Sequence, residues 1–199
     1  MKDNIVVLGG SFNPCTLAHQ DTLLRAMKLI DAKLGIYLPT GNHYGKSELI
    51  DFDIRVHLLE LMNTPKTYIS LYENSCQTHP KTLQSLDYIQ SCYPNATLYF
   101  IVGLDNLIDI PNWYMPEMLL SKHHLICTSR DFHKPKPILS QPFYQPYLSH
   151  IHILNKNPEM QAVSSSQVRS LIQNKKGEQC SSLLHPDVYQ YIMKHHLYI

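Results

Sequence analysis

What this chain lacks narrows it first. It has no long apolar run: its first hydrophobic stretch, Ile5 to Leu8, is far too short for a signal-peptide core or a membrane span. A cytoplasmic protein with no membrane partner is therefore expected. It has no charge excess either, since seventeen basic side chains nearly cancel sixteen acidic ones, and no basic block interleaves with aromatics. Nucleic acid is not an expected partner. Its five cysteines are odd in number and form no C-x-x-C pair, which speaks against a disulfide framework and a zinc ribbon. Reduced thiols are the simple reading. Its twelve histidines contain no H-E-x-x-H spacing, and the adjacent pairs His123-His124 and His195-His196 must point apart. Most are expected at the surface, and no metal ligand set is read from them. Tryptophan occurs once, at Trp113.

What remains is an ordinary globular composition, 44% hydrophobic and 17% charged over 199 residues, enough for one large domain spanning 1–199. β-branched and apolar runs recur at Ile5–Leu8, Leu34–Leu38, Tyr68–Leu71, Leu98–Val102, Leu125–Thr128 and Ile151–Leu154. Helical patterns at Thr22–Ile30, Ile54–Met62 and Thr82–Ile89 fall between the first four. That alternation predicts a Rossmann-like α/β fold: a doubly wound, mainly parallel sheet with helices on both faces. A C-terminal helical segment is expected over about 164–199. The proline-dense stretch from Lys134 to Pro146 reads as an irregular surface excursion.

The eleven residues Gly9 to His19, GGSFNPCTLAH, carry the most information. A strand ending in Gly-Gly, a tight turn and a helix start present backbone N–H groups of Gly10, Ser11 and Phe12 to a phosphate. Thr16 and His19 are three apart, so both can face the bound anion from one side of the helix. The plainer reading is a helix-capping Thr beside a half-exposed His. A second glycine, Gly103, ends the strand Leu98–Val102, followed by Asp105. If the first and fourth strands are neighbours, both loops face one crevice. Asp105 then either accepts hydrogen bonds from a ribose or caps the next helix. Ser164, Ser165 and Ser166 open a helix bearing Arg169; hydroxyls there cap by default, and with Arg169 can also line an anion site.

The segment Gly41 to Ser47 looks like a P-loop but has three residues between its glycines where four are needed, so a kinase cradle is not expected.

The Gly9–His19 segment resembles the signature of the nucleotidyltransferases, (H/T)-x-G-H, here Thr16-Leu17-Ala18-His19 with Ala18 in place of Gly. The Ser-Phe-Asn-Pro-x-Thr wording is most similar to the nicotinamide and nicotinate mononucleotide adenylyltransferases. Pro39, Gly41, Tyr44, Lys46 and Arg55 match a further loop of that family, and Val163-Ser164-Ser165-Ser166-Gln167-Val168-Arg169 resembles its triphosphate motif. Leu125 to Arg130 and the tail from Leu184 match as well.

The resemblance implies transfer of AMP from ATP to a pyridine mononucleotide, with Mg²⁺ arriving on ATP and a homo-oligomer possible. His19 and Thr16 would hold phosphate oxygens, and Lys46, Arg130 and Arg169 would neutralise the developing pyrophosphate. Tyr44 and Arg55 would serve the mononucleotide, Arg55 by shaping the loop or the phosphate site. Trp113, with Tyr72 and Glu73 on an earlier loop, would meet the pyridine ring; a lone Trp is otherwise usually packing. Where nicotinate-type enzymes carry Ser-Tyr-Thr, this chain has Gln77-Thr78-His79, which leaves the preferred base open. A phosphopantetheine adenylyltransferase, a cytidylyltransferase and a catalytically silent nucleotide sensor are the alternatives.

Overall fold

A computed structural model describes residues 3–44, 49–129, 135–155 and 157–199. Its six strands are β1 (Asn4–Gly10), β2 (Leu34–Pro39), β3 (Thr67–Ile69), β4 (Thr97–Gly103), β5 (His124–Ser129) and β6 (Ile151–Asn155). They form one sheet in the order β3-β2-β1-β4-β5-β6, and every pairing is parallel. The helices in chain order are α1 (Leu17–Leu29), α2 (Phe52–Glu60), α3 (Tyr72–Ser75), α4 (Thr82–Cys92), α5 (Leu104–Asp109), α6 (Pro116–Lys122), α7 (Pro135–Leu139), α8 (Ser165–Gln173) and α9 (Pro186–Lys194).

Strands covered on both faces read as continuous apolar runs, and the period of two divides them into two cores. Val6 and Leu8 of β1 join Tyr99 and Ile101 of β4 in a core with α1, α2, α8 and α9. Ile5 and Val7 join Leu98, Phe100 and Val102 in a second, closed by α4, α5 and α6. The strand order reverses between β1 and β4, so the turns after Gly10 and Gly103 open on the same crevice. That is where a doubly wound sheet binds ligands.

One expectation needs correction. The proline-dense stretch is no bare surface excursion: it forms α7 and a 3₁₀ segment, Pro142–His150, whose Tyr144 is fully buried. The Tyr144 hydroxyl donates to the carbonyl of Leu107, so this stretch anchors α5 beside the crevice. Proline blocks a long helix but suits short helical starts and 3₁₀ turns, which is how it is used here.

Among the described histidines only His123 is buried, so the expectation that most lie at the surface has one exception. The Nε2 of His123 lies 3.4 Å from Asp87. His124 points the other way, onto Tyr99, and stacks with His150 and His152 at ring separations of 4.4 and 5.7 Å. Burial, then the neighbouring imidazoles, pushes His124 down to about 4. The unfolded chain therefore takes up this proton first as pH falls, and stability drops between about pH 6.5 and pH 4. In thermal melts across that window, His124→Gln should show a shallower fall in Tm than the parent. Equal slopes would remove His124 as the cause.

Candidate active site

The β1–α1 turn is built so that backbone, not side chain, faces the crevice. Phe12 sits at φ 47°, in the left-handed region, with its ring buried against Tyr37 and His19. A bulky residue held there costs of order 1–3 kcal/mol and persists only when its surroundings fix it. The fixing groups are visible. Arg55 of α2 is wholly buried; its guanidinium donates to the carbonyl of Ser11 at 2.8 Å, its Nε to the carbonyl of Ile50 at 3.0 Å, and a longer bond reaches Asn42 at 3.5 Å. From the other side, Ser165 Oγ donates to the carbonyl of Pro14 at 2.7 Å and Arg169 to that of Asn13 at 2.8 Å. The loop carbonyls are thus drawn toward α2 and α8.

His19 is oriented by the residue that caps its own helix. Its Nδ1 accepts from the backbone N–H of Thr16 at 3.0 Å and lies 2.9 Å from the Thr16 hydroxyl. A backbone N–H can only donate, so Nδ1 presents its lone pair and the neutral ring carries its proton on Nε2. The geometry makes His19 a hydrogen-bond donor through Nε2. Thr16 itself is fully buried, so its hydroxyl serves the imidazole ring.

A cavity of about 260 Å³ adjoins this turn, lined by Gly9, Gly10, Ser11, Leu38, Thr40, Glu73, His79, Pro80, Thr82, Phe100, Asn106 and Trp113. Trp113 is half-buried, and its indole N–H donates to Asp109 at 3.2 Å, which sets the ring's tilt. Glu73 is buried at 6% exposure, accepts from Ser85 at 2.9 Å, and is pushed up to about 7 by burial, with the Ser85 bond opposing. Thr40 Oγ1 and Glu73 Oε2 are both buried with no hydrogen-bond partner among the described residues.

The sequence expectations divide accordingly. Gly10, Ser11, Glu73 and Trp113 come together around one cavity, with Phe12 beneath the turn. Of the two roles expected of Arg55, the structure shows a contact with the loop: it has no exposed surface, and its guanidinium holds the Ser11 carbonyl. Tyr72 is corrected. It stacks on Tyr88 at 4.0 Å and lines a separate cavity with Tyr68 and Tyr93, since α3 turns it away from the side that carries Glu73. Gly103 caps α5, leaving Asp105 exposed in its first turn, so the capping alternative for Asp105 is not what is found. Ser164 takes the capping role on α8, accepting from the N–H of Gln167, while Ser166 is exposed. Lys46 and Arg130 lie outside the described residues, and Tyr44 is described only as the end of a 3₁₀ turn, Asn42–Tyr44. Helix α2 starts at Phe52 behind Asp51, well past Ser47, where a P-loop would begin its helix at once.

Thr40, His79, Thr82 and Asn106 line the cavity without having been singled out from sequence. The one available signal was His79, at the point where the Ser-Tyr-Thr wording fails. Among the described residues no three His, Cys, Asp or Glu converge on a metal position, and no helix is long and apolar enough to cross a membrane.

Comparison with known proteins agrees with this geometry. The cytidylyltransferase-like family model matches residues 7–171. A probable nicotinate-nucleotide adenylyltransferase of Carboxydothermus hydrogenoformans is 33% identical over 201 residues, covering 98% of this chain and 97% of the relative. Its counterpart from Escherichia coli is 30% identical with both chains covered in full. Among solved structures, the nicotinic acid mononucleotide adenylyltransferase of Plasmodium falciparum, complexed with NaAD, superposes with a TM-score of 0.77 at 25% identity, covering 98% of this chain and 97% of that one. The chain belongs to the cytidylyltransferase-like nucleotidyltransferases, within the nicotinate-nucleotide adenylyltransferase family.

Proposed function

We propose that this protein transfers AMP from ATP to nicotinate or nicotinamide mononucleotide, making the dinucleotide and pyrophosphate for NAD biosynthesis. The observation that carries the reading is His19, fixed by Thr16 as an Nε2–H donor at the glycine turn beside the cavity of Glu73 and Trp113.

The 5′-phosphate of the mononucleotide attacks the α-phosphorus of ATP in line; a P–O bond forms there as the bond to the β-phosphate oxygen breaks and pyrophosphate leaves. A phosphate nucleophile is ionised at neutral pH, so no general base is required. Positioning and charge stabilisation supply the catalysis. His19, with N–H groups of Gly10, Ser11 and Phe12, meets phosphate oxygens that gain charge. Ser165 and Arg169 hold the loop that presents those groups, with Arg169 and exposed Ser166 at the triphosphate end. By family resemblance Lys46 and Arg130 also serve the phosphates, and Gly103 and Asp105 the adenosine side. ATP enters as its magnesium complex, the ion riding on the phosphates and keeping its waters. Trp113 lies against the pyridine ring.

The protein is read as one nucleotidyltransferase domain over 1–199, working in the cytoplasm on these two small molecules, with no nucleic acid or membrane partner; a homo-oligomer is compatible with this reading. As the single Trp, residue 113 reports directly on the site. Titration with either mononucleotide or the dinucleotide should quench its fluorescence, and ATP alone should do little. Quenching by ATP with no response to both mononucleotides would move Trp113 out of the pyridine site.

A further inference from the structure

Glu73 is an awkward residue to find beside a site for an anionic pyridine. Glu73 lines the cavity; its Oε1 is occupied by Ser85, while Oε2 is buried with no hydrogen-bond partner among the described residues, and His79 Nδ1 lies 3.8 Å from it. The carboxyl group is held by its burial and its bond to Ser85, and the main chain is fixed as well: the Glu73 carbonyl packs so closely on the β2–α2 loop that a Cβ on Gly41 would fall 2.6 Å from it. Whatever substituent the ring carries toward Oε2 must therefore come to terms with a fixed carboxyl group.

The two candidate bases differ there in charge and in hydrogen-bond sign. A carboxylate only accepts, and next to an ionised Glu73 it would put two like charges in one desolvated space. A carboxamide has N–H groups to give, which an ionised carboxylate accepts and a protonated carboxyl meets less well. Glu73 can be either species near neutrality. Burial holds its carboxyl up to about 7, and the Ser85 hydroxyl works against that. Among the described residues, His79, Tyr72 and Asp109 add no positive charge that would hold it ionised. His79, on the loop before α4, is itself pushed down by burial and by Lys81, so it is neutral at pH 7. Tyr72 on the same helix is pushed up by burial and, with Cys76, adds no positive charge. Asp109 lies in the adjoining cavity with His79, Lys81 and Trp113 and is of the same sign as Glu73.

We propose that Glu73, with His79 beside it, selects the pyridine substituent by its protonation state, admitting the 3-carboxylate when protonated and the 3-carboxamide when ionised. This rests on the assignment of the cavity to the pyridine ring. Binding of nicotinate mononucleotide then takes up one proton that binding of nicotinamide mononucleotide does not, and preference between them becomes a function of pH. Phosphates common to both ligands cancel in the ratio of their affinities.

The test measures dissociation constants of both mononucleotides by Trp113 fluorescence from pH 6 to pH 9. With half of Glu73 protonated at pH 7 and about one part in a hundred at pH 9, nicotinate affinity falls about 50-fold while nicotinamide affinity rises about twofold, so their ratio should fall about 100-fold between those points. Glu73→Gln, permanently neutral, should flatten the ratio to within about twofold, as expected when the titrating group is gone. Ser85→Ala removes the bond that favours the ionised form and should move the crossover to higher pH, a shift that a merely structural role would not produce. A parent ratio independent of pH, or the same slope in Glu73→Gln, overturns the selector while leaving the proposed reaction standing. If neither mononucleotide binds at any pH, the pyridine assignment fails and the selector falls with it.

Discussion

His19→Ala is expected to lower turnover about 10²- to 10³-fold, the usual loss for one preorganised donor aimed at charge that develops in the transition state. The expectation comes from the tautomer. With Nδ1 held by the Thr16 N–H at 3.0 Å, the ring offers Nε2–H without first having to find its orientation. Helix α1 should survive, because Thr16 still caps it and its packing rests on Leu23, Ala26 and Met27, one turn or more further along. Mononucleotide affinity should therefore change far less than turnover. His19→Asn, which restores a donor at a shorter reach, should recover part of the loss. Steady-state kinetics on the purified variants, with circular dichroism as the check on folding, decide the matter. Near-parental turnover in His19→Ala would remove the residue from catalysis.

Trp113→Ala is expected to weaken mononucleotide binding about 5- to 150-fold, from about 1–3 kcal/mol for an aromatic face stacked on a heterocycle. The indole is placed for such a contact: it lines the cavity together with Gly9 and Gly10, and Asp109 accepts its N–H. ATP affinity should move much less, because adenosine and triphosphate are assigned to the Gly103 and Arg169 ends of the crevice. Calorimetric titration of each nucleotide separates the two effects. An equal loss for ATP would mean that Trp113 packs the site as a whole and does not address the pyridine.

The fold could be read from the sequence because parallel strands buried on both faces leave unbroken apolar runs. All six expected runs fall on strands, with boundaries within two residues at each end. The glycine turn is legible as strand, Gly-Gly and helix start, although the left-handed Phe12 within it is held by Arg55, Ser165 and Arg169 from distant elements. Three residues could be read only in part, for a common reason. Arg55, Tyr72 and Thr16 each have chemistry suited to a ligand, but what they touch is decided by tertiary packing. Burial turns the Arg55 guanidinium onto the Ser11 carbonyl, a short α3 turns Tyr72 onto Tyr88, and capping geometry turns the Thr16 hydroxyl onto His19. Thr40 escaped because nothing local distinguishes a strand-end Thr lining a cavity from one facing solvent. The proline-dense stretch was misjudged because Tyr144's bond to Leu107 spans 37 residues and leaves no trace in local pattern.

The most direct test follows the phosphorus atoms. Purified protein is given magnesium-ATP labelled at either the α- or the γ-phosphate, with nicotinate mononucleotide and, separately, nicotinamide mononucleotide. The α-label should appear in the dinucleotide and the γ-label in pyrophosphate, one for one, with at least one of the two bases. A γ-label found on the mononucleotide would show a kinase, and binding of both substrates with no label transferred would show a nucleotide-binding protein without the chemistry; either result contradicts the assignment of this site to adenylyl transfer.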